Sequence, residues 1–221
     1  MKNYIPFFSA LFLLALLWLA DNDCFGQDLP MKNDEQQIVI FQDDFSNNKN
    51  KWKVGVEMNG WSANVENGKY VIDNPSYEFM QTQKSIPIDI SMNFAIECSA
   101  LWLSGNQNDD FGITFGQFGR SDVNNFFDFT INANGYFRYG RGIKGNYKEL
   151  IPWARCLQIN LVSTIENKIK IKKINSNIVF YINDEKVAIY NFDDFGVNNE
   201  IGFIVKGKQK VQFDNLIVTQ E

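Results

Sequence analysis

Carboxylates are the side chains of this sequence best suited to acid–base chemistry. The 221 residues include 26 Asp and Glu but no histidine. The lack of histidine excludes Ser-His-Asp and Cys-His nucleophilic mechanisms, together with the common histidine type of zinc-hydroxide site. An enzyme with this sequence would therefore have to use Asp, Glu, Tyr or Lys as its acid, base or nucleophile.

Adjacent acidic residues occur at three places, Asp43-Asp44, Asp109-Asp110 and Asp193-Asp194. Consecutive residues of a strand point to opposite faces of a sheet, so such a pair does not make a catalytic dyad. Each pair also lies beside a turn-like segment, which favours a role in a turn or cap. Asp128 is the stronger catalytic candidate because it falls on the polar side of an alternating run. The alternative is that Asp128 is simply an exposed sheet residue.

The elements that must position these side chains are β-strands. Apolar and polar residues alternate with a period of two, which is typical of strands, and no stretch holds a helical period. Turn signals such as Asn-Gly, Lys-Gly and Asn-Asp separate the runs. Together with 20 phenylalanines, this pattern predicts an all-β fold, an antiparallel sandwich of two sheets. The strand-like runs cover residues 38–41, 68–72, 93–103, 111–116, 127–132, 157–161, 169–174, 178–190, 201–205 and 211–218.

The first 26 residues resemble a targeting segment. Lys2 precedes an apolar run over residues 5–20, which is short for a membrane span, and small residues before position 27 suit signal-peptide cleavage after Gly26. An uncleaved anchor and lipid attachment at Cys24 are the alternatives. We predict a signal peptide over 1–26, a flexible lead-in over 27–37 and one sandwich domain over 38–221.

The mature chain is expected to be exported to the periplasm, cell surface or extracellular space, with no transmembrane segment after signal removal. The formal net charge of −5 argues against a nucleic-acid partner, which would require a basic face. Lys168, Lys170, Lys172 and Lys173 form a local basic stretch. We interpret it as a solvated strand whose lysines discourage edge-to-edge pairing, with an anion-binding patch as the alternative.

Two cysteines remain in the mature chain, Cys98 and Cys156. Export to an oxidising compartment would allow a disulfide between them. Both also lie in strand-like runs, where a buried free thiol is an equally good interpretation. The sequence leaves both states open.

Several segments, taken in order over about residues 40–219, resemble the bacterial concanavalin-A-like (laminin-G-like) jelly-roll domains. Within that superfamily the sequence is most similar to the branch of 3-keto-disaccharide hydrolases, or family-16-like glycoside hydrolases. The segments are Phe41-Gln-Asp-Asp-Phe45 with Trp52, Glu66-Asn-Gly-Lys-Tyr70, Asn93-Phe-Ala-Ile-Glu97, Phe111-Gly-Ile-Thr-Phe-Gly116, Phe127-Asp-Phe-Thr-Ile-Asn-Ala-Asn-Gly-Tyr136, Ile151-Pro-Trp153, Phe180-Tyr-Ile-Asn183 and Phe213-Asp-Asn-Leu216.

The resemblance implies a two-sheet jelly roll that holds a carbohydrate on its concave sheet. Sugar recognition combines an aromatic surface with a few placed polar groups, and the polar sides of the middle strands could supply such a platform. We expect ligand-binding residues among Trp102, Asp128, Thr130, Tyr136, Arg138, Gln158 and Asn160, with Thr114, Phe126, Asn132, Tyr139 and Trp153 nearby.

Catalysis is a separate question, because family-16 glucanases carry a Glu-x-Asp-x-x-Glu strand that this sequence lacks. We therefore predict an exported carbohydrate-binding module without catalysis, whose partner is a glycan or cell-envelope polysaccharide. The first alternative is a glycoside hydrolase of the 3-keto-disaccharide type that uses Asp128, and the second is a structural or protein-interaction domain. No cofactor is expected apart from a structural calcium ion, for which Asp43 and Asp214 are candidate ligands.

Overall fold

The computed structural model describes residues 37–118, 125–192 and 200–221. In these ranges the chain forms fifteen strands and no helix, so no described segment is a helix that could cross a membrane. The predicted signal peptide, residues 27–36 of the lead-in and the pair Asp193-Asp194 lie outside the described residues. The strands are β1 (Ile38–Asp43), β2 (Gly55–Val56), β3 (Ser62–Glu66), β4 (Lys69–Asn74), β5 (Phe79–Ser85), β6 (Phe94–Gly105), β7 (Asp110–Phe118), β8 (Asn125–Asn132), β9 (Tyr136–Ile143), β10 (Asn146–Arg155), β11 (Asn167–Ile174), β12 (Asn177–Ile182), β13 (Glu185–Asn191), β14 (Glu200–Lys206) and β15 (Gln209–Gln220).

The strands form two antiparallel sheets, which confirms the predicted sandwich. The nine-stranded sheet has the order β13-β12-β11-β6-β15-β4-β3-β2, and β1 pairs with the second half of the long strand β15. The six-stranded sheet has the order β10-β9-β8-β7-β14-β5. Strands far apart in sequence, such as β7 and β14, are therefore neighbours in space.

The predicted turns close several hairpins. Asn67-Gly68 joins β3 to β4, Lys144-Gly145 joins β9 to β10, and Asn183-Asp184 joins β12 to β13. Both residues of each turn have a positive φ, as the two-residue hairpin turn matched to strand twist requires. Glycine, asparagine and aspartate adopt this conformation more readily than other residues.

Aromatic side chains from both sheets fill the space between them. Phe203 of β14 stacks on Phe213 of β15 with 4.2 Å between ring centroids, and Phe129 of β8 packs against Phe180 of β12 at 4.7 Å. The cysteines also belong to this core, where both are buried free thiols. The phenylalanine-rich composition is thus used mainly for packing between the sheets.

Two sequence-based expectations are wrong. Residues 157–161 are a loop and not a strand. The side chain of Asn167 closes this loop, since its Oδ1 accepts a 2.7 Å hydrogen bond from the Asn160 N–H and its Nδ2 donates a 3.0 Å hydrogen bond to the Asn160 carbonyl. The lysine-bearing strand β11 is not an edge strand, since it lies between β6 and β12. Its Lys168 and Lys170 form ion pairs with Glu97 of β6 on the outer face, whereas Lys173 is buried and donates to the Ser91 and Met92 carbonyls.

Candidate functional site

The outer face of the six-stranded sheet carries a cluster of opposite charges. Asp110, Asp128, Arg138 and Lys206 lie on β7, β8, β9 and β14, at positions that alternate with residues facing the core. These four residues, called the paired-charge cluster below, come from four adjacent strands, so only the folded sheet brings them together.

Asp128 is fully buried in spite of its position on an outer face. Its Oδ1 accepts a 2.7 Å hydrogen bond from the hydroxyl of Tyr147, and its Oδ2 accepts a 2.6 Å hydrogen bond from Nζ of Lys206. Both oxygens of the carboxylate therefore have a protein partner. A buried charge needs such partners, because its desolvation is costly.

Asp110 is the second buried carboxylate of the cluster. Its Oδ2 accepts hydrogen bonds from Thr130 Oγ1 at 2.7 Å and from Arg138 Nε and Nη2 at 3.1 and 2.9 Å. Arg138 also donates to Glu149 at 3.1 Å. Burial is the largest single influence on Arg138 and would lower its pKa, but the charges of Asp110 and Asp128 and the other neighbouring contacts together outweigh burial and raise that pKa. The guanidinium is thus held as a permanent cation between two carboxylates.

Lys206 joins the two aspartates. Its Nζ lies 2.6 Å from Oδ2 of Asp128 and 3.2 Å from Oδ2 of Asp110, so these oxygens are no more than about 6 Å apart, a range that includes the carboxyl spacing of retaining glycosidases. In such an enzyme one carboxylate must face the sugar. Here the ammonium group lies between the two carboxylates.

Tyr147 covers Asp128 from the edge strand β10. A Cβ atom placed on Gly140 would lie 2.2 Å from the Tyr147 hydroxyl, so the ring crosses the sheet where a side chain is absent. Burial and the neighbouring charge of Asp128 raise the pKa of Tyr147 well above its usual value. The phenol therefore stays protonated and keeps donating to Asp128.

Aromatic side chains cross the same face as a row of four residues. Phe79 lies 6.0 Å from Phe126, and Phe126 lies 6.5 Å from Tyr147, between ring centroids. Arg138 Cζ then lies 4.9 Å from the ring centroid of Tyr147 and 4.8 Å from that of Trp153. Phe79, Tyr147 and Trp153 are 41%, 40% and 37% exposed, so this aromatic row offers apolar surface to a ligand.

An open depression of about 590 Å³ adjoins one end of the aromatic row. It is lined by Tyr77, Glu78, Phe79 and Lys206, and Nζ of Lys208 lies 4.2 Å from the ring centroid of Tyr77. The depression therefore combines two exposed aromatic rings with charged groups of both signs.

Four of the seven ligand-binding residues predicted from the sequence lie together on this face. Asp128 and Thr130 are on β8, and Tyr136 and Arg138 are on β9, where Thr130 pairs with Arg138 across the strands. Asp128 and Thr130 are fully buried, whereas Tyr136 is 38% exposed.

The other three lie elsewhere. Trp102 is on β6 of the nine-stranded sheet and packs against the core. Gln158 and Asn160 are in the loop between β10 and β11, where the Gln158 carbonyl accepts a 2.6 Å hydrogen bond from Asn183. A role of any of the seven in ligand binding stays a prediction.

The candidate calcium ligands already have protein partners. Asp43 accepts hydrogen bonds from the Phe45 backbone at 2.9 Å, Asn50 at 2.7 Å and the Trp52 indole at 2.8 Å, and Asp214 forms an ion pair with Lys69. The described ranges contain no group of three or more Asp, Glu or Cys side chains arranged to hold a metal. These residues do not fit a calcium site without loss of their donors, and calcium here stays a prediction.

Sequence reasoning missed four important residues of this face, Asp110, Lys206, Tyr147 and Phe79. Asp110 was interpreted as a turn or cap residue, but it lies in β7 and points into the paired-charge cluster. Its place two residues before Gly112, on the polar side of an alternating run, was the available signal. No local signal links Lys206 to Asp128, because 78 positions separate them.

Comparisons with known proteins give structural likeness alone, since no family model and no curated protein matches the sequence. The catalytic domain of an endo-1,3-β-glucanase (laminarinase) from Thermotoga petrophila is 11% identical, with a TM-score of 0.59 over 85% of this chain and 99% of that one. A Bacillus subtilis protein of unknown function with a galectin-like fold is 9% identical, with a TM-score of 0.60 over 82% and 96%.

A third similar structure is the carbohydrate-binding module CBM66 from Bacillus subtilis. It is 12% identical, with a TM-score of 0.51 over 75% of this chain and 99% of that one. At such identities the likeness establishes the fold, and the narrower relation to 3-keto-disaccharide hydrolases stays a prediction. The chain has a jelly-roll β-sandwich fold, which it shares with these three structures.

Proposed function

We propose that this protein is an exported module that binds a glycan, such as a cell-envelope polysaccharide, on the outer face of its six-stranded sheet without cleaving it. The observation that carries the proposal is the state of Asp128. This carboxylate has no exposed surface, and Tyr147 and Lys206 occupy both of its oxygens. A nucleophile or general acid must reach the scissile bond, so the burial and the two partners of Asp128 support a role without catalysis by this residue.

The aromatic row supports binding. Sugar rings have apolar faces that stack on aromatic side chains, and their hydroxyls need a few fixed polar partners. Tyr147 and Trp153 are held in place by Arg138 lying between them, so little side-chain entropy remains to be lost when a ligand binds. The depression at Tyr77 and Phe79 extends the same surface.

Glycoside hydrolysis is the second candidate function, because a specific observation favours it. The Oδ2 atoms of Asp110 and Asp128 lie within about 6 Å of each other, a range that includes the separation used by retaining glycosidases. For hydrolysis, Tyr147 and Lys206 would have to leave Asp128 when the substrate binds.

The test is a screen of the purified protein against neutral and acidic polysaccharides and disaccharides, including 3-keto forms. Binding is measured by calorimetry and sugar release by chromatography. We expect binding without release, and we expect Trp153→Ala to weaken it about tenfold or more through lost apolar contact. Tyr181→Ala, a change on the outer side of β12 in the other sheet, is the matched control and should leave affinity unchanged.

Three results would contradict this proposal. Equal loss of affinity in Trp153→Ala and Tyr181→Ala would show that the glycan does not bind specifically to the aromatic row. Release of sugar by the native protein, abolished in Asp128→Asn, would establish the hydrolase instead. A protein that neither binds nor cleaves any of these glycans would favour a structural or protein-interaction domain.

A further inference from the structure

We infer that Lys206 and Asp128 form an intramolecular isopeptide bond, a covalent amide between Nζ of the lysine and Cγ of the aspartate. This would be a modification site within the paired-charge cluster. The inference does not depend on glycan binding, although a covalently bonded Asp128 would no longer be available for acid–base chemistry.

The reacting atoms are already in contact. Nζ of Lys206 lies 2.6 Å from Oδ2 of Asp128, one bond away from the carboxyl carbon that it would attack. A small rotation of the carboxylate would direct Nζ at that carbon. Two groups held in contact react much faster than the same groups on separate molecules, because they do not first have to meet in solution.

Burial favours the condensation over the ion pair. Asp128 is fully buried, and the Lys206 side chain is 16% exposed. Separate charges lose hydration there, whereas a neutral amide has no charge to desolvate. Nζ of Lys206 also lies 4.7 Å from the ring centroid of Tyr147, against which Phe126 packs.

Two groups beside the reacting pair, Tyr147 and Asp110, suit the steps of the reaction. Tyr147 donates to Oδ1 of Asp128 at 2.7 Å, where it would stabilise the negative charge that develops on this oxygen during attack. Asp110 Oδ2, 3.2 Å from Nζ, can accept a proton from the lysine and pass it to the leaving oxygen.

The step balances without a co-reactant. The ammonium and carboxylate together lose one water: the Nζ–Cγ bond forms, the Cγ–Oδ2 bond breaks, and two protons of the lysine leave with Oδ2. No electron donor or acceptor is required, and the Asp110 carboxylate is regenerated. The bond would link β8 to β14 across the intervening strand β7.

The test is the intact mass of the purified protein whose N-terminus has been determined by sequencing. We expect a mass one water molecule below that of the sequence, and a branched proteolytic peptide that joins the segments around Asp128 and Lys206. Lys206→Arg keeps the positive charge but cannot form this amide, so its mass should equal the sequence mass.

Lys69→Arg is the matched control, since Lys69 also contacts an aspartate, Asp214, but should leave the mass deficit in place. A native protein with the full sequence mass would overturn the inference. It would also be overturned by a deficit that persists in Lys206→Arg, or by a water loss mapped to a succinimide within one linear peptide. Asp128→Ala gives a second readout if Lys206→Arg does not fold.

Discussion

The hydroxyl of Tyr147 reaches Oδ1 of Asp128 at 2.7 Å by crossing the sheet over a glycine. This contact joins the edge strand β10 to the buried centre of β8, with β9 between them. It explains how a carboxylate on the outer face of a sheet can have no exposed surface. It also makes the glycine at position 140 a requirement for the site.

Gly140→Ala should detach Tyr147 from Asp128, because the new Cβ would overlap the hydroxyl. Leaving a buried acceptor short of a donor costs about 1–3 kcal/mol, and we expect the free energy of unfolding to fall by that amount in urea titration. In a Tyr147→Ala background the obstructing ring is gone, so the same glycine change should cost much less. An equal cost in both backgrounds would contradict this account.

Lys206→Met should be strongly destabilising. Without Lys206 the buried carboxylates of Asp110 and Asp128 have neither its positive charge nor a bond to it, and leaving a buried charge without its partner costs about 3–5 kcal/mol. Lys53→Met is the control: Lys53 pairs with Glu57 at 2.8 Å with side chains 52% and 42% exposed, and such pairs contribute about 0–1 kcal/mol. Similar losses for the two variants in denaturant unfolding would show that the cluster is not a buried ionic network.

Tyr147 should make stability fall in alkaline solution. Its pKa is raised in the folded protein, so the folded state holds the phenolic proton more tightly than the unfolded state. That contribution is complete below the unfolded pKa of about 10 and is lost as the pH rises above it. Unfolding free energies measured at steps of about one pH unit between pH 8 and 11 should decline less steeply in Tyr147→Phe than in the native protein. An unchanged slope would show that the phenol is not perturbed.

Chelation of divalent cations should leave the melting temperature unchanged, because protein donors surround Asp43 on both oxygens. Asp43→Ala should lower the melting temperature even without calcium, since the buried Trp52 indole then lacks its acceptor, at a cost of about 1–3 kcal/mol. A fall in melting temperature on adding EDTA that calcium reverses would establish the ion site.

The thiols of Cys98 and Cys156 should resist labelling in the native protein. Burial raises the pKa of both thiols, and only the thiolate reacts with maleimide or disulfide reagents. We expect mapped peptides to show labelling at both positions only after denaturation. Rapid labelling of Cys98 in the native protein would mean that the two sheets separate. A disulfide between Cys98 and Cys156 would leave both peptides unlabelled in the denatured protein until a reductant is added.

Sequence patterns determined the class of fold and several of its elements. Alternation of period two located strands such as β6, β7 and β8, and Asn-Gly or Asn-Asp pairs located hairpin turns. They failed where local patterns conflict with tertiary contacts. The mostly polar β5 gave little apolar signal, and β10 contains Pro152, which is tolerated because this irregular strand lies at the edge of its sheet.

Only the tertiary structure decided which polar residues form the candidate site. The sequence placed Asp128, Thr130 and Arg138 on polar faces, but it also grouped them with Trp102, which lies on the other sheet. Strand order is set by long-range pairing, so β14 lies next to β7 although their sequences are far apart. The partner of a buried charge is therefore fixed by the order and register of strands in the sheet, which a period-two pattern does not encode.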